Sequence, residues 1–394
     1  MERGSTGTYQ SVSTAGETFK AFVPAPLPPT PPIVLSNDLL ILFEQATRAL
    51  GKLDGLSLLL PDISLFLYFY VRKEAVLSSQ IEGTQSSLSD LLRFEFDEAP
   101  GVPTDDVQEV SQYVAALNYG LKRLREDNFP LSSRLLREVH EVLLSSGRGA
   151  TKEPGNFRAS QNWIGGTRPG NAHFVPPPHN EVPACIGALE QFLNSKTDAL
   201  PTLIKAALAH VQFETIHPFL DGNGRIGRLL ITLLLCADGV LQEPLLYLSY
   251  YFKRNRKTYY ELLDAVRLRG DWETWLEFFL TGVRDVAEQA ADGARKILVL
   301  FDKDRRLLEP LGRPAASALR VHHYLQRHPL ISIGKTANAL HVTAQTVIQA
   351  LRVLEEKGIV EEITGRQRDR IFTYATYLKL LDEGTTTANR NSPG

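Results

Sequence analysis

Apolar positions recur along most of this chain at the three- and four-residue spacing of amphipathic helices, and the pattern lapses in only a few stretches. From Asn37 to about Leu124 the spacing is helical, and a strongly apolar segment from Ile63 to Leu77 runs into Ser78-Ser79-Gln80-Ile81-Glu82-Gly83. Gly83 predicts a helix stop there. Further helices are predicted over residues 111–126, 132–145, 181–193, 203–215, 225–237, 257–268 and 272–308. Between residues 155 and 178 the periodicity fails. There Gly155-Asn156-Phe157-Arg158, Gly165-Gly166 and Pro176-Pro177-Pro178 punctuate short strand-like pieces, as in a hairpin flap.

Beyond Gly312-Arg313-Pro314 the order of elements changes. Helices over residues 316–326, 335–340 and 344–356, a turn at His341-Val342, and strand-like pieces at 358–363 and 370–374 follow the pattern of a winged helix-turn-helix. At the other end, residues 1–36 are rich in Ser, Thr, Gly and Pro and finish in a proline run that cannot form helix or central strand, which predicts a tail or an extended strap. The expected organisation is that tail, an N-terminal helical region over 37–130, a core over 131–312, the winged unit over 313–380 and a disordered tail over 381–394. The fold class is mainly α: a helical bundle with a β-hairpin flap, followed by a C-terminal winged-helix domain.

With 394 residues, 43% of them hydrophobic, the chain can bury two or three cores. A formal net charge of -2 removes whole-molecule attraction to nucleic acid and leaves only local basic patches as candidates. Cys185 and Cys236 form neither a metal-spacing motif nor a disulfide framework, which predicts a reducing, cytoplasmic setting. The apolar run from Leu229 to Ala237 is far shorter than the roughly 20 residues a bilayer needs, so no signal peptide, spanning helix or membrane partner is expected.

The densest chemistry lies in His217-Pro218-Phe219-Leu220-Asp221-Gly222-Asn223-Gly224-Arg225-Ile226-Gly227-Arg228. A helix starting near Gly224 aims its free amides and positive dipole end at the Asp221-Gly222-Asn223 loop, and the glycines let an anion approach that backbone closely. Arg225 in the first helical turn is electrostatically misplaced unless an anion sits beside it. Arg228, three residues on, can grip a second phosphate through its planar fork. Asp221 can hold Mg²⁺ against phosphates, and His217, fixed by Pro218, can serve as a base. A polyphosphate is the ligand that uses all of these groups.

The same segment resembles the signature of the Fic family, His-Pro-Phe-x-Asp/Glu-Gly-Asn-Gly-Arg-x-x-Arg, with no departure at a fixed position, and the surrounding helices extend the similarity over about residues 37–300. The resemblance implies AMP transfer from ATP to a Ser, Thr or Tyr hydroxyl of a protein target, with pyrophosphate leaving. It makes His217 the general base and Asp221 the Mg²⁺ ligand. Gly222, Asn223 and Gly224 become a backbone cradle for the nucleotide phosphates, and Arg225 and Arg228 neutralise the leaving pyrophosphate, Arg228 nearest the γ-phosphate.

Ser78 and Glu82 similarly resemble the family's inhibitory motif, Ser/Thr-x-x-x-Glu-Gly/Asn. A carboxylate at a helix C-terminus is disfavoured by the dipole, and Arg228 needs a partner when no nucleotide is bound, so a Glu82–Arg228 pair is expected to hold the enzyme off. Trp163-Ile164-Gly165-Gly166-Thr167 resembles the family's target-binding flap, with Ile164 and Gly165 at its turn, and implies pairing with an extended target segment. Tyr250, Tyr251 and Asn255 either face adenine or pack in the core.

Other readings remain open at this stage. The winged unit can contact DNA or protein: Arg366, Arg368 and Arg370 cluster in the wing, and Thr343, Gln345 and Thr346 fall at the start of a recognition helix, which allows a nucleotide-sensing transcriptional regulator. Transfer or removal of another phosphate-linked group on the same fold is a further alternative, and a homodimer is a candidate assembly. A metal triad of His210, His217 and Asp221 gives no role to Arg225, Arg228 or the glycines and ranks last.

Overall fold

The computed structural model describes residues 3–14, 16–59, 63–95, 104–147, 149–195, 200–312, 314–365 and 370–382. Two strands come first, β1 (Gly7–Thr14) and β2 (Glu17–Pro24), followed by α1 (Asn37–Leu59), α2 (Ile63–Ile81), α3 (Leu88–Glu95), α4 (Thr104–Arg125) and α5 (Ser133–Leu143). Next come α6 (Val182–Asn194), α7 (Thr202–Ile216), α8 (Asn223–Ala237), α9 (Ser249–Arg254), α10 (Arg256–Arg269) and α11 (Trp272–Leu308).

Apolar residues fall on every side of α7, which predicts a helix enclosed by others. Residues 203–216 are indeed all buried, with α6, α8, α10 and α11 packed around them. Helix α8 follows on the return path and presses its Leu-rich face against α4 and α5 as well. The indole of Trp275 donates to the Ala207 carbonyl at 3.0 Å and pins α11 to α7. Helix α11 has 37 residues, about 55 Å of rise, so it packs along α1 and then continues out to the winged unit. Among the described residues no helix is long and apolar enough to cross a membrane.

The winged unit consists of α12 (Ala315–Arg327), β3 (Leu330–Ser332), α13 (Ile333–Leu340), α14 (Ala344–Glu356), β4 (Glu361–Glu362) and β5 (Ile371–Thr373), with strand order β3-β5-β4, all antiparallel. Thr343 caps α14 by accepting from the Thr346 amide at 3.2 Å. Arg366 and Arg368 of the wing, Arg313 of the junction and residues 383–394 of the expected tail lie outside the described residues.

Two departures from the sequence reading follow from interactions between distant segments. The expected tail or strap over residues 1–36 contains a regular hairpin, β1 paired with β2 from Gly7↔Pro24 to Thr14↔Glu17. Its Thr, Tyr, Val and Phe content suits strands, and β2 buries Phe19, Ala21 and Phe22, the last donating its amide to the Val175 carbonyl at 2.9 Å. Arg3 clamps the strap by forking onto Glu273 at 2.6 Å and donating to the Pro31 and Pro32 carbonyls.

The second departure is α15 (Ala375–Asp382), a helix after the wing that reaches back to α2 and α3. Tyr377 meets the Phe69 ring of α2 edge-on at 5.4 Å and Phe301 of α11 at 4.9 Å, Ser89 donates to Asp382 at 3.2 Å, and the Tyr374 hydroxyl donates to Asp304. Replacing Tyr377 by Ala removes a fully buried ring that belongs to both units. The expected loss is about 3 kcal/mol of stability, read as a lower urea midpoint. An unchanged midpoint would show that this contact holds nothing together.

Candidate active site

Pro218 lacks an amide hydrogen and cannot extend α7, so the helix stops at Ile216. His217 takes a left-handed conformation (φ 49°, ψ 60°) while its amide closes on the Phe213 carbonyl at 2.9 Å. Asn223 then ties the loop: its Oδ1 accepts from the Phe219 amide and its Nδ2 donates to the Phe219 carbonyl, both at 2.8 Å. The Asn223 side chain is therefore spent on the loop, leaving its backbone amide for a ligand. Gly222, at φ 76°, supplies the turn into α8 that a side chain would strain. The first intrahelical bond of α8 is Ile226 N to Gly222 O at 3.0 Å, so the amides of Asn223, Gly224 and Arg225 come before the ladder starts.

A carboxylate from the turn that follows α2, that of Glu82, is seated at that helix start. Arg228, 2% exposed, donates from Nε to Ser78 Oγ at 2.7 Å and from Nη2 to the Ser78 carbonyl at 3.1 Å and to Glu82 Oε1 at 2.7 Å. The same Oε1 lies against Gly224 so closely that a Cβ on that residue would come within 2.2 Å of it. Burial alone would raise the Glu82 carboxyl. The Arg228 charge and hydrogen bond, with Arg225 and His217 behind them, outweigh burial and hold it below the usual range. Glu74, deeper in α2, accepts from the Ser249 amide at 3.1 Å and from the Ser249 and Tyr113 hydroxyls, and burial lifts it to about 7.

Arg225 is placed differently from the sequence reading. It is 1% exposed and turned toward Glu109 of α4 at 3.3 Å, with Asp221 at 3.5 Å, so it braces the loop from inside the bundle. The unpaired helix start drew attention to Arg225. Its partner, more than a hundred residues upstream, gave no local signal.

The His217 imidazole is held down at about 4 by burial first and then by the charges of Arg267 and Arg158, opposed by the Glu214 backbone and Glu82. It is neutral at physiological pH, the state a base requires. Asp221 accepts the Gly222 amide on Oδ1 at 2.6 Å, and its side chain is about one-third exposed. One available carboxylate suits Mg²⁺ that arrives with phosphate and water ligands. Among the described residues no three His, Cys, Asp or Glu side chains converge as a metal cluster. The His210 triad is excluded: its Nδ1 donates to the Gly227 carbonyl at 2.9 Å and its Nε2 accepts from the Tyr259 hydroxyl at 2.8 Å, deep in the core.

Sequence reasoning missed His140. Its Nδ1 accepts the Gly155 amide at 2.9 Å, which fixes the tautomer so that Nε2 donates to the Asp221 carbonyl at 3.0 Å. Its ring stacks on Phe219 at 3.7 Å, and burial keeps it neutral, at about 4. Glu214 is a second surprise. It is buried with Oε1 unpartnered, a Cβ on Gly227 would approach that oxygen to 2.4 Å, and burial lifts the carboxyl to about 7.

The adenine candidates are held by neighbouring aromatic and backbone groups. Tyr251 packs on Phe278 at 4.9 Å and against Gly282 of α11, Asn255 donates to the Tyr251 carbonyl at 3.0 Å, and Tyr250 meets Tyr247 edge-on. The short α9 turns this face to α11. Tyr260, 38% exposed near the start of α10, instead lies in the fields of Glu82 and Arg228: burial and then the Glu82 charge shift its hydroxyl upward, and Arg228 opposes them. In the sequence nothing separates Tyr260 from its neighbour Tyr259, which is buried.

The flap is a minimal hairpin with a single bridge, Ile164 to Phe174, where Gly165 and Gly166 turn at φ 69°. Arg267 lies over the Phe174 ring at 4.1 Å and His173 donates to Asp264 at 2.6 Å, so α10 holds the flap's return limb. Because burial and two arginines depress His217, its ring signals in an NMR titration should stay those of neutral imidazole until the pH falls toward about 4. An inflection near the ordinary value of about 6.5 would mean that the ring is solvated.

Comparison with known proteins places these features. Residues 40–122 match the model described as Fic/DOC family N-terminal, residues 130–235 the Fic/DOC family, and residues 316–361 a winged helix-turn-helix DNA-binding domain. A protein adenylyltransferase Fic of Aedes aegypti is 32% identical over 193 residues, which is 49% of this chain and 35% of that protein. A probable protein adenylyltransferase of Aquifex aeolicus is 29% identical over 211 residues, 53% of this chain and 58% of that one. The chain thus spans between about a third and three-fifths of these relatives. Among solved structures, a Fic family protein from Desulfovibrio desulfuricans superposes with a TM-score of 0.58 at 20% identity, covering 88% of this chain and 98% of that one. Fic-1 from C. elegans gives 0.52 at 23% identity, covering 66% and 74%. At these identities the likeness establishes the fold.

Proposed function

Because residues 40–122 and 130–235 make this chain a member of the Fic/DOC family, we propose that it transfers AMP from ATP to a hydroxyl side chain, Ser, Thr or Tyr, of a protein target. One observation carries the reading: an anionic oxygen, that of Glu82, already lies against Gly224 at the start of α8 and on Arg228, where a phosphate would be held. In the reaction the acceptor oxygen attacks the α-phosphorus and its proton passes to the neutral His217 imidazole. The bond from the α-phosphorus to the bridging oxygen breaks, and pyrophosphate leaves toward the α8 amides and Arg228. Such transfers depend on positioning and on fixed positive charge, which a preorganised helix start and a buried guanidinium supply. Asp221 would hold Mg²⁺, which neutralises phosphate charge when bound. Tyr260, exposed beside the Glu82–Arg228 pair, offers a ring to the nucleotide base.

The same geometry supports autoinhibition. While Glu82 occupies Arg228, a triphosphate cannot engage that arginine, and its α-phosphate is carried out of line with the acceptor. A bias of about 1–3 kcal/mol corresponds to roughly 5–150-fold in activity. Glu82→Gly should therefore raise ATP-dependent labelling within that range, read by intact mass as added AMP. Adding His217→Ala should then lower labelling by about 10²–10⁴-fold while ATP binding survives. Equal labelling with and without His217 would overturn the assignment, and a different mass increment would point to another phosphate-linked group.

DNA contact is a second reading, favoured by the exposed Gln345, Gln349 and Arg352 on α14 in a unit that matches a winged helix-turn-helix DNA-binding model. The full chain should then retard duplex DNA in a manner that weakens steeply with salt. Absence of retardation at low salt would leave this unit to protein contacts.

A further inference from the structure

Pro218 and the turn after it interrupt the helical ladder at four consecutive carbonyls, from Ile216 at the end of α7 to Phe219 in the loop. Residues 158–162 reach all of them. Arg158 donates from Nη2 to Ile216 at 3.5 Å, from Nε to His217 at 2.9 Å and from its backbone amide to Pro218 at 2.9 Å. Asn162 donates from Nδ2 to His217 at 3.3 Å and to Phe219 at 3.0 Å.

The same guanidinium also holds both roots of the flap, donating from Nη1 to the Ser160 carbonyl at 3.2 Å and from Nη2 to the Pro177 carbonyl at 2.5 Å. Arg158 is 2% exposed, so its charge is satisfied by carbonyls inside the protein. A planar fork can donate to several carbonyls in fixed directions at once, whereas an ammonium on a flexible stem cannot. His217 itself sits at φ 49°, a conformation that a non-glycine residue keeps only when its surroundings over-determine it.

We propose that Arg158 is a positioning residue that locks the flap in register with His217, so that an acceptor hydroxyl presented along the flap arrives at the imidazole. This rests on the reading of His217 as the base. Arg158 also adds positive charge close to that ring, beside Arg267. Geometry and charge separate by substitution: Lys keeps the charge and loses the fork, and Gln loses both.

The experiment uses the full chain carrying Glu82→Gly as parent, with Arg158→Lys, Arg158→Gln and Asn162→Ala added singly. Hydrogen exchange by mass spectrometry should rise together in residues 158–178 and 216–222 of each variant. Labelling should lose about 10²-fold in kcat for Arg158→Lys, as expected for a misplaced reacting group, and about tenfold for Asn162→Ala, with KM for ATP within about twofold because α8 holds the phosphates. In Arg158→Gln the acid limb of the pH–rate profile should also move up toward the ordinary histidine value of about 6.5, while in Arg158→Lys it should stay in place. Exchange unchanged in both segments, or raised in only one of them, overturns the brace. So does parental kcat in folded Arg158→Lys. If the Arg158 variants fail to fold, Asn162→Ala carries the same test. If the parent does not label at all, the transfer reading falls, and the exchange result still decides the brace.

Discussion

Helix α8 begins with unpaired amides, the positive end of its dipole and a buried arginine one turn further on, and that concentration of positive charge needs an anion beside it. The rest of the site is arranged around this constraint. Leaving Arg228 without a counter-charge in the core would cost several kcal/mol, yet a permanent partner would exclude a phosphate. Glu82 supplies that counter-charge from just past the end of α2, with its side chain about one-third exposed. Ser78, which bonds Arg228 through both hydroxyl and carbonyl, stays with the arginine and keeps its fork oriented.

The polar groups around this centre are layered by depth. His217 and Asp221 are partly exposed. Behind them His140, Arg225 and Glu109 fix the loop from the α4–α5 side. On the other side Glu74 and Gln80 hold α2 to α9 and to the segment that follows it. Each of these bonds would be modest in water. Inside the bundle they matter because a buried group left unpaired costs more than a pair gains.

Features that depend on short sequence spacing were legible in the chain. The turn at His217-Pro218, the glycine entry to α8 and the stop at Gly83 each follow from local backbone chemistry. The meeting of Glu82 with Arg228 was legible because each had an electrostatic defect that the other removes. What was not legible depends on distant partners. Arg225 was read toward the cleft because Glu109 cannot be paired with it by spacing. For Tyr251 and Asn255 the choice between adenine and the core stayed open because the rotation of a six-residue helix is set by α11 and not by its own pattern. The β1–β2 hairpin was hidden by Ser- and Thr-rich composition, which suits exposed strands as well as disorder.

A boundary in sequence is not always a boundary in packing. The proline-flanked junction near residue 312 divides the chain into two recognisable units, yet α15 returns across it to place Tyr377 on Phe69, in the same helix that carries Ser78. A protein cut at that junction would expose an aromatic seam on α2 and would lose side support for the helix whose end reaches the cleft. The helical bundle of this chain is therefore completed by residues that come after its second domain, and the two units are better regarded as one cooperative body than as modules on a string.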